Sequence, residues 1–318
     1  MKVFPFIPLC LRHVRSLGIS AALLRATALE LAILAGHLLL YPSGLAPERR
    51  TPSPKPLEQA PSRTARSRQT TDPAPDHLHA PTPDPTDAPA PLPVPLAEAT
   101  ALPTSGPERP PAVLLHGFVD NRSVFILLRR SLARYGWRHL ECLNYSPLTC
   151  DIRTAAELLG RHIEEICTRT GHREVDIVGH SLGGLIARYY VQRLGGDQRV
   201  RILVTLGTPH SGTAVAPLAS AHPIVRQMRP ESSVIQELRR PAPGCRTRFV
   251  SFWSDLDQIM VPIETACIDH PDLIAENVRV SGIGHLALPV HPAVAAGIRQ
   301  ALESTEPAAG ASGAVSVA

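Results

Sequence analysis

The sequence contains no GxxxxGK(S/T) loop, no GxGxxG turn after a strand, no HExxH pair and no paired CxxC, and each absence removes a class of chemistry. Without a glycine-rich phosphate cradle or a dinucleotide turn, nucleotide cofactors have no starting point. Without His or Cys at ligand spacing, neither has a structural zinc site. No metal and no cofactor is therefore expected. A basic block is also missing. The 32 Lys and Arg stand against 28 Asp and Glu for a net charge of +4, spread over the N-terminus, a proline-rich stretch and helix faces, so nucleic acid is not an expected partner.

Proline is abundant, but most of the 33 crowd into one part of the 318-residue chain. Runs such as Pro81-Thr82-Pro83-Asp84-Pro85 and Pro89-Ala90-Pro91-Leu92-Pro93-Val94-Pro95 cannot donate ladder hydrogen bonds and lack the apolar residues that offset ordering entropy. Residues 47–109 are therefore expected to be a disordered linker, extended where it is polyproline-like. Before it, Lys2, Arg12 and Arg15 precede a largely apolar stretch from Leu17 to Tyr41. Residues 1–46 read either as an N-terminal membrane anchor or as a signal peptide, with Leu31 to Leu40 as its apolar core and the small residues around Gly44-Leu45-Ala46 as its cleavage site. Both place the protein outside the cytoplasm, at a membrane or lipid surface or secreted. The charges of Arg25, Glu30 and His37 interrupt the stretch, which leaves a third reading, an amphipathic or buried helix.

The block from 110 to 303 alternates two periodicities. Ala112 to Leu115 is a continuous apolar run of the kind buried on both faces of a parallel sheet, and Val124 to Tyr135 follows at helical spacing. Strand signals recur at His139 to Tyr145, Val175 to Val178, Val200 to Leu206, Thr247 to Ser254 and Asn277 to Val280. Helical signals fall at Asp151 to Arg169, Leu182 to Leu194 and Pro292 to Leu302. The fold class is thus α/β, a mostly parallel sheet with helices on both faces, and residues 304–318 are expected to be a disordered tail.

Gly179-His180-Ser181-Leu182-Gly183 fits GxSxG between a strand and a helix. This is the setting in which a tight turn lifts a serine out as a nucleophile. Ser181 then needs a base and an orienting acid, which in this architecture follow it in the order acid, histidine. His285, in a glycine loop after the last strand, fits that order. His180 and His210 come before the acid, and His291 starts a helix. Asp255 and Asp257 both follow the strand ending at Ser254; Asp257 is preferred, with Asp255 as the alternative.

His116-Gly117-Phe118, the elbow with Gly184, Thr205-Leu206-Gly207-Thr208-Pro209-His210-Ser211-Gly212-Thr213, Asp257 and Gly284-His285 together resemble the bacterial lipase branch of the α/β-hydrolase superfamily. The resemblance covers the whole block. It implies a compact α/β-hydrolase fold without a large cap domain and a carboxylic ester hydrolase acting on acylglycerols or other lipid esters. It also implies an oxyanion hole made by the backbone N–H groups of Phe118 and Leu182. An acyltransferase or a phospholipase or other lipid deacylase would use the same triad, and a non-catalytic anchored module is a rival of another class. The stretch between Ser211 and Arg240 is either a small flap or a surface helix and loop. Of the six cysteines, Cys142 with Cys150 and Cys245 with Cys267 are near enough in sequence to pair, with buried free thiols as the alternative.

Overall fold

The computed structural model describes residues 21–45, 108–118, 120–145, 151–215, 222–304 and 315–317. Contacts group Met1–Ala46 with Arg109–Ala318 into one compact unit and leave Pro47–Glu108 as a second. All but the end of the proline-rich stretch lies outside the described residues.

A seven-stranded parallel sheet forms the centre of the first unit. Its strands are β1 (Ala112–Leu115), β2 (Leu140–Leu143), β3 (Val175–His180), β4 (Val200–Leu206), β5 (Arg248–Ser254), β6 (Ile274–Val280) and β7 (Val315–Val317), in the order β2-β1-β3-β4-β5-β6-β7. Every pair is parallel. Around the sheet lie α2 (Ile126–Arg134), α3 (Ile152–Thr170), α4 (Leu182–Arg193), α5 (Pro223–Gln227), α6 (Ser233–Leu238) and α7 (Pro292–Glu303), with α1 (Ala21–Leu45) ahead of them in the chain.

The apolar run of β1 serves two cores at once. Val113 and Leu115 join Ile152, Leu159 and Ile163 of α3 and Leu185 of α4 on one face. Ala112 and Leu114 join Leu128 and Leu132 of α2 and Ile298 of α7 on the other. Successive side chains of a strand point to opposite faces, so a strand covered on both sides has no polar position to spare. Each fully buried Leu or Ile contributes about 1.5–3 kcal/mol to this double packing. Helix α3 begins and ends on the residues its sequence offers. The Asp151 side chain accepts from Thr154 N at 2.8 Å, and Gly171 closes the helix in the left-handed conformation, its N–H on the Cys167 carbonyl.

Chain order reverses at β1, with β2 on one side and β3 on the other. In such sheets the loops leaving the carboxyl ends of the two strands at the reversal diverge and open a crevice. Here those loops carry Gly117 and Phe118 after β1 and Ser181 after β3.

Several expectations are corrected. The tail is not featureless over 304–318, because the Val-Ser-Val alternation at 315–317 pairs with Val278 to Val280 of β6. Strand β6 starts at Ile274, three residues earlier than its apolar run, since its first residues are only half-buried. The pairing of Cys245 with Cys267 is absent, and both are free thiols. Cys245 precedes the first residue of β5, while Ala266, next to Cys267, accepts a hydrogen bond from Ser251 halfway along it, so the strand keeps the thiols apart. Cys142 is buried in β2, and its suggested partner Cys150 lies outside the described residues. The apolar N-terminal stretch forms α1, which packs on the unit through Ile33. Among the described residues no helix is long and apolar enough to cross a membrane.

Candidate active site

Ser181 sits between β3 and α4 at φ 52°, ψ −119°, the one described non-glycine residue with positive φ. An L-residue is strained there, and such strain persists only where surrounding structure holds it. Two bonds, one to β4 and one to the loop after it, do so. Ser181 N donates to the Leu206 carbonyl at 2.9 Å, and Thr208 Oγ1 donates to the Ser181 carbonyl at 3.0 Å. The flanking glycines are required by space. A Cβ on Gly179 would fall 2.5 Å from Gly184 Cα, and one on Gly183 would run into the backbone oxygens of Leu115 and His116. The first turn of α4 closes with Gly184 N on the Ser181 carbonyl at 3.1 Å. The N–H of Leu182 thereby lies at the positive end of the helix, beside the serine.

His285 and Asp257 meet at the ends of β6 and β5. His285 Nδ1 is 2.7 Å from Asp257 Oδ2, and the two residues are 4% and 3% exposed. The other carboxylate oxygen, Oδ1, accepts from Ile259 N at 2.9 Å and Met260 N at 3.1 Å, which fixes the acid from both sides. Burial pushes the Asp257 carboxyl up, but the charge and hydrogen bond of His285 and those two backbone donors outweigh it, and its pKa lies below the ordinary value. For His285 burial disfavours the cation, yet Asp257, helped by Glu30 and Asp120, raises its pKa above the ordinary imidazole value. Gly207 of the Thr205 to Thr213 segment backs this pair at φ 52°, where a Cβ would stand 2.9 Å from both Asp257 Oδ2 and His285 Nδ1.

Asp255 takes a different place. Its carboxylate pairs with Arg279 at 2.9 Å and accepts from Gly282 N at 3.2 Å, away from the imidazole. The other histidines also separate. His210 is buried with Nε2 2.9 Å from Thr205 Oγ1, and burial reinforced by Arg188 keeps its pKa far below the ordinary value. His291 precedes α7.

Ser181 and His285 open into one cleft, which Gly117 and Phe118 also line. Val215, Val225, Met228, Ile259, Met260 and Leu286 make the remaining wall mostly apolar. Val225 and Met228 come from α5 and its end, so the stretch read as flap or surface helix supplies part of this wall; residues 216–221 lie outside the described set.

Three residues about the site were not legible in the sequence. The ring of His180 lies beside that of His285, tilted by 40° with centroids 4.8 Å apart, and its Nε2 lies 3.2 Å from the His285 carbonyl oxygen. Asp120 Oδ2 is 3.3 Å from His180 Nδ1 in a pair almost wholly buried. Glu30 of α1 bonds to the backbone after His285. The signals were a histidine inside the GxSxG motif, an acid shortly after His116-Gly117-Phe118, and a charge in an apolar segment.

A strained serine at the β3–α4 turn and a buried acid and histidine at the ends of β5 and β6 are carried by a parallel sheet reversing at β1, and known proteins share that fold. A lipase of Bacillus licheniformis superposes with a TM-score of 0.53 at 17% identity, covering 62% of this chain and 93% of its own. Aspergillus fumigatus lipase B gives 0.55 at 16% identity, covering 63% and 54%. The chain has the α/β-hydrolase fold of these two lipases. Residues 111–258 match the family described as palmitoyl protein thioesterase. A triacylglycerol lipase of Burkholderia plantarii is 29% identical over 126 residues, 37% of this chain. The chain thus spans only 34% of that curated relative's length.

Proposed function

We propose that the protein is a serine carboxylic ester hydrolase, lipase-like, which cleaves acylglycerols or other lipid esters through an acyl-enzyme on Ser181. The observation that carries this reading is the 2.7 Å contact between His285 and Asp257 at the head of an apolar cleft that also holds Ser181. In the reaction His285 Nε2 accepts the hydroxyl proton as Ser181 Oγ bonds to the ester carbonyl carbon. The tetrahedral oxyanion is met by the backbone N–H groups of Phe118 and Leu182. Collapse breaks the bond to the alcohol, which leaves with the proton from His285. Water, deprotonated by the same imidazole, then releases the carboxylic acid and restores Ser181. Asp257 holds the tautomer with Nδ1 protonated and stabilises the imidazolium. The Val225, Met228 and Met260 side of the cleft suits an acyl chain, since it offers dispersion contacts and no competing polar groups.

The match to a thioesterase family supports a second reading, in which the scissile bond is an acyl thioester. The same proton transfers serve, with a thiol as leaving group. The surface around the site favours a substrate presented at a lipid interface. Leu24, Leu29, Leu31 and Leu39 of α1 are 45%, 42%, 62% and 83% exposed, and Ile259 on the cleft wall is 41% exposed. With its basic flank and apolar segment retained, the N-terminus is consistent with work outside the cytoplasm at a membrane or lipid surface.

Oxoesters and thioesters of graded acyl length, assayed beside a serine-reactive phosphonate, test this. Wild type should hydrolyse the longer oxoesters and be labelled at Ser181. Ser181→Ala should lose labelling and fall by about 10⁴-fold or more in turnover while keeping its fold. Retained turnover in Ser181→Ala overturns the assignment, and a strong preference for thioesters selects the second reading.

A further inference from the structure

Glu30 is out of place in α1 as the sequence presents it, because a carboxylate in an apolar helix interferes with either membrane insertion or signal function. In the folded unit it has a specific place. Its Oε2 accepts from Leu286 N at 2.9 Å and its Oε1 from Ala287 N at 3.0 Å. These are the two backbone donors that follow His285, in a turn that continues with Leu288 N on the His285 carbonyl at 3.4 Å. One turn of α1 earlier, Thr27 Oγ1 accepts from Gln258 Nε2 at 3.3 Å, and Gln258 follows Asp257. One turn later, Ile33 packs against the core that contains Ile283 and Ala287. Residues three apart share a face of a helix, so one face of α1 grips the loop of the acid and the loop of the base together. The grip is close: a Cβ on Gly284 would lie 2.5 Å from Glu30 Cδ.

Resting on the hydrolase reading above, we propose that Glu30 is a positioning residue for His285: α1 is a strut of the active site, and its carboxylate sets the turn that aims the imidazole. Both carboxylate oxygens take a backbone N–H, so the side chain fixes position and orientation of the turn at once, as a charge-assisted bidentate acceptor does. Orientation is what the base requires, because its two nitrogens must face Asp257 and the serine simultaneously. The groups facing His285 are Asp257 from the loop after β5, Asp120 from the loop after β1, His180 from the end of β3, and Glu30 from α1. Three carboxylates favour the imidazolium, so Glu30 contributes charge as well as geometry.

The test uses the full chain, a short soluble ester, and kcat and KM measured across the pH range for wild type, Glu30→Gln, Glu30→Ala and Arg25→Gln. Arg25 is exposed on the same helix and serves as the charge control. In Glu30→Gln an amide N–H₂ meets a backbone donor and the negative charge is gone. Its kcat should fall by on the order of 10- to 100-fold, with KM within about threefold. Its acid limb should move to lower pH, because the imidazolium has lost a favourable partner. Glu30→Ala should lose more kcat with the same displacement, and Arg25→Gln should change neither. If Glu30→Ala fails to fold, the isosteric Glu30→Gln decides. Glu30→Gln with unchanged kcat, or with reduced kcat and an unmoved acid limb, overturns the proposal. Phosphonate labelling of wild type separates the two readings: a wild type neither labelled at Ser181 nor active overturns the hydrolase reading itself, whereas a labelled, active wild type leaves the result to Glu30 alone.

Discussion

The ring of Tyr145 lies flat on the ring of His116, centroids 4.5 Å apart and planes 6° from parallel, while the Tyr145 hydroxyl donates to the His116 carbonyl. A residue just after β2 thereby holds the end of β1, and with it the Gly117-Phe118 turn whose amide is assigned to the oxyanion. The His116 carbonyl is also, with that of Leu115, one of the two oxygens that Gly183 must clear, so both loops of the crevice meet at this end of β1. Tyr145→Phe keeps the stack and removes the hydrogen bond. It should cost about 1 kcal/mol of stability, read as a lower midpoint in urea. It should also lower kcat more than it raises KM, by up to the ~10²-fold of a weakened oxyanion donor. Unchanged kcat would detach Tyr145 from the turn.

The two aspartates after β5 differ in what they touch, and their substitutions should differ accordingly. Asp257→Asn leaves the shape but offers His285 an amide, so the wrong tautomer is favoured and turnover should drop by about 10⁴-fold. Asp255 pairs with the half-exposed Arg279. Asp255→Asn should stay within a few-fold of wild type in kcat and lose about 1 kcal/mol of stability or less. The reverse ranking in steady-state kinetics would move the acid to Asp255.

Activity should depend on pH with a definite sign. The base works only as neutral imidazole, and the pKa of His285 is raised, chiefly by Asp257 against the opposing effect of burial. The neutral fraction therefore appears only as pH climbs past that raised value. A plot of kcat/KM against pH should show its acid limb above the ordinary imidazole pKa of about 6.5. Residual activity in Asp257→Asn should show the limb shifted to lower pH. A wild-type limb at or below the ordinary value would contradict the geometry of the pair.

Local chemistry made much of this fold readable before any coordinates. Strand β4 coincides with its apolar run, Val200–Leu206; α3 begins after its Asp151 cap and stops at Gly171. In both cases the determining residues are neighbours in the chain. The serine turn was readable for the same reason. What the sequence could not display is contact between distant segments. Glu30 and Leu286 are 256 residues apart, and no periodicity links them. The free thiols of Cys245 and Cys267 show the converse, since nearness in sequence says nothing about where along a strand two side chains end up. The start of β6 was missed because Ile274, Ala275 and Glu276 are half-buried, and a strand without a fully buried face carries no clean alternation.

Met1–Ala46 and Arg109–Ala318 belong to one unit, and residues 47–108 are the covalent link between them. That link is what keeps α1 at high local concentration beside its docking face. A single protease cut inside it would turn an intramolecular contact into a bimolecular one without touching a residue of the site. The nicked protein would then behave as a two-piece enzyme whose output falls on dilution and returns when the N-terminal peptide is added back.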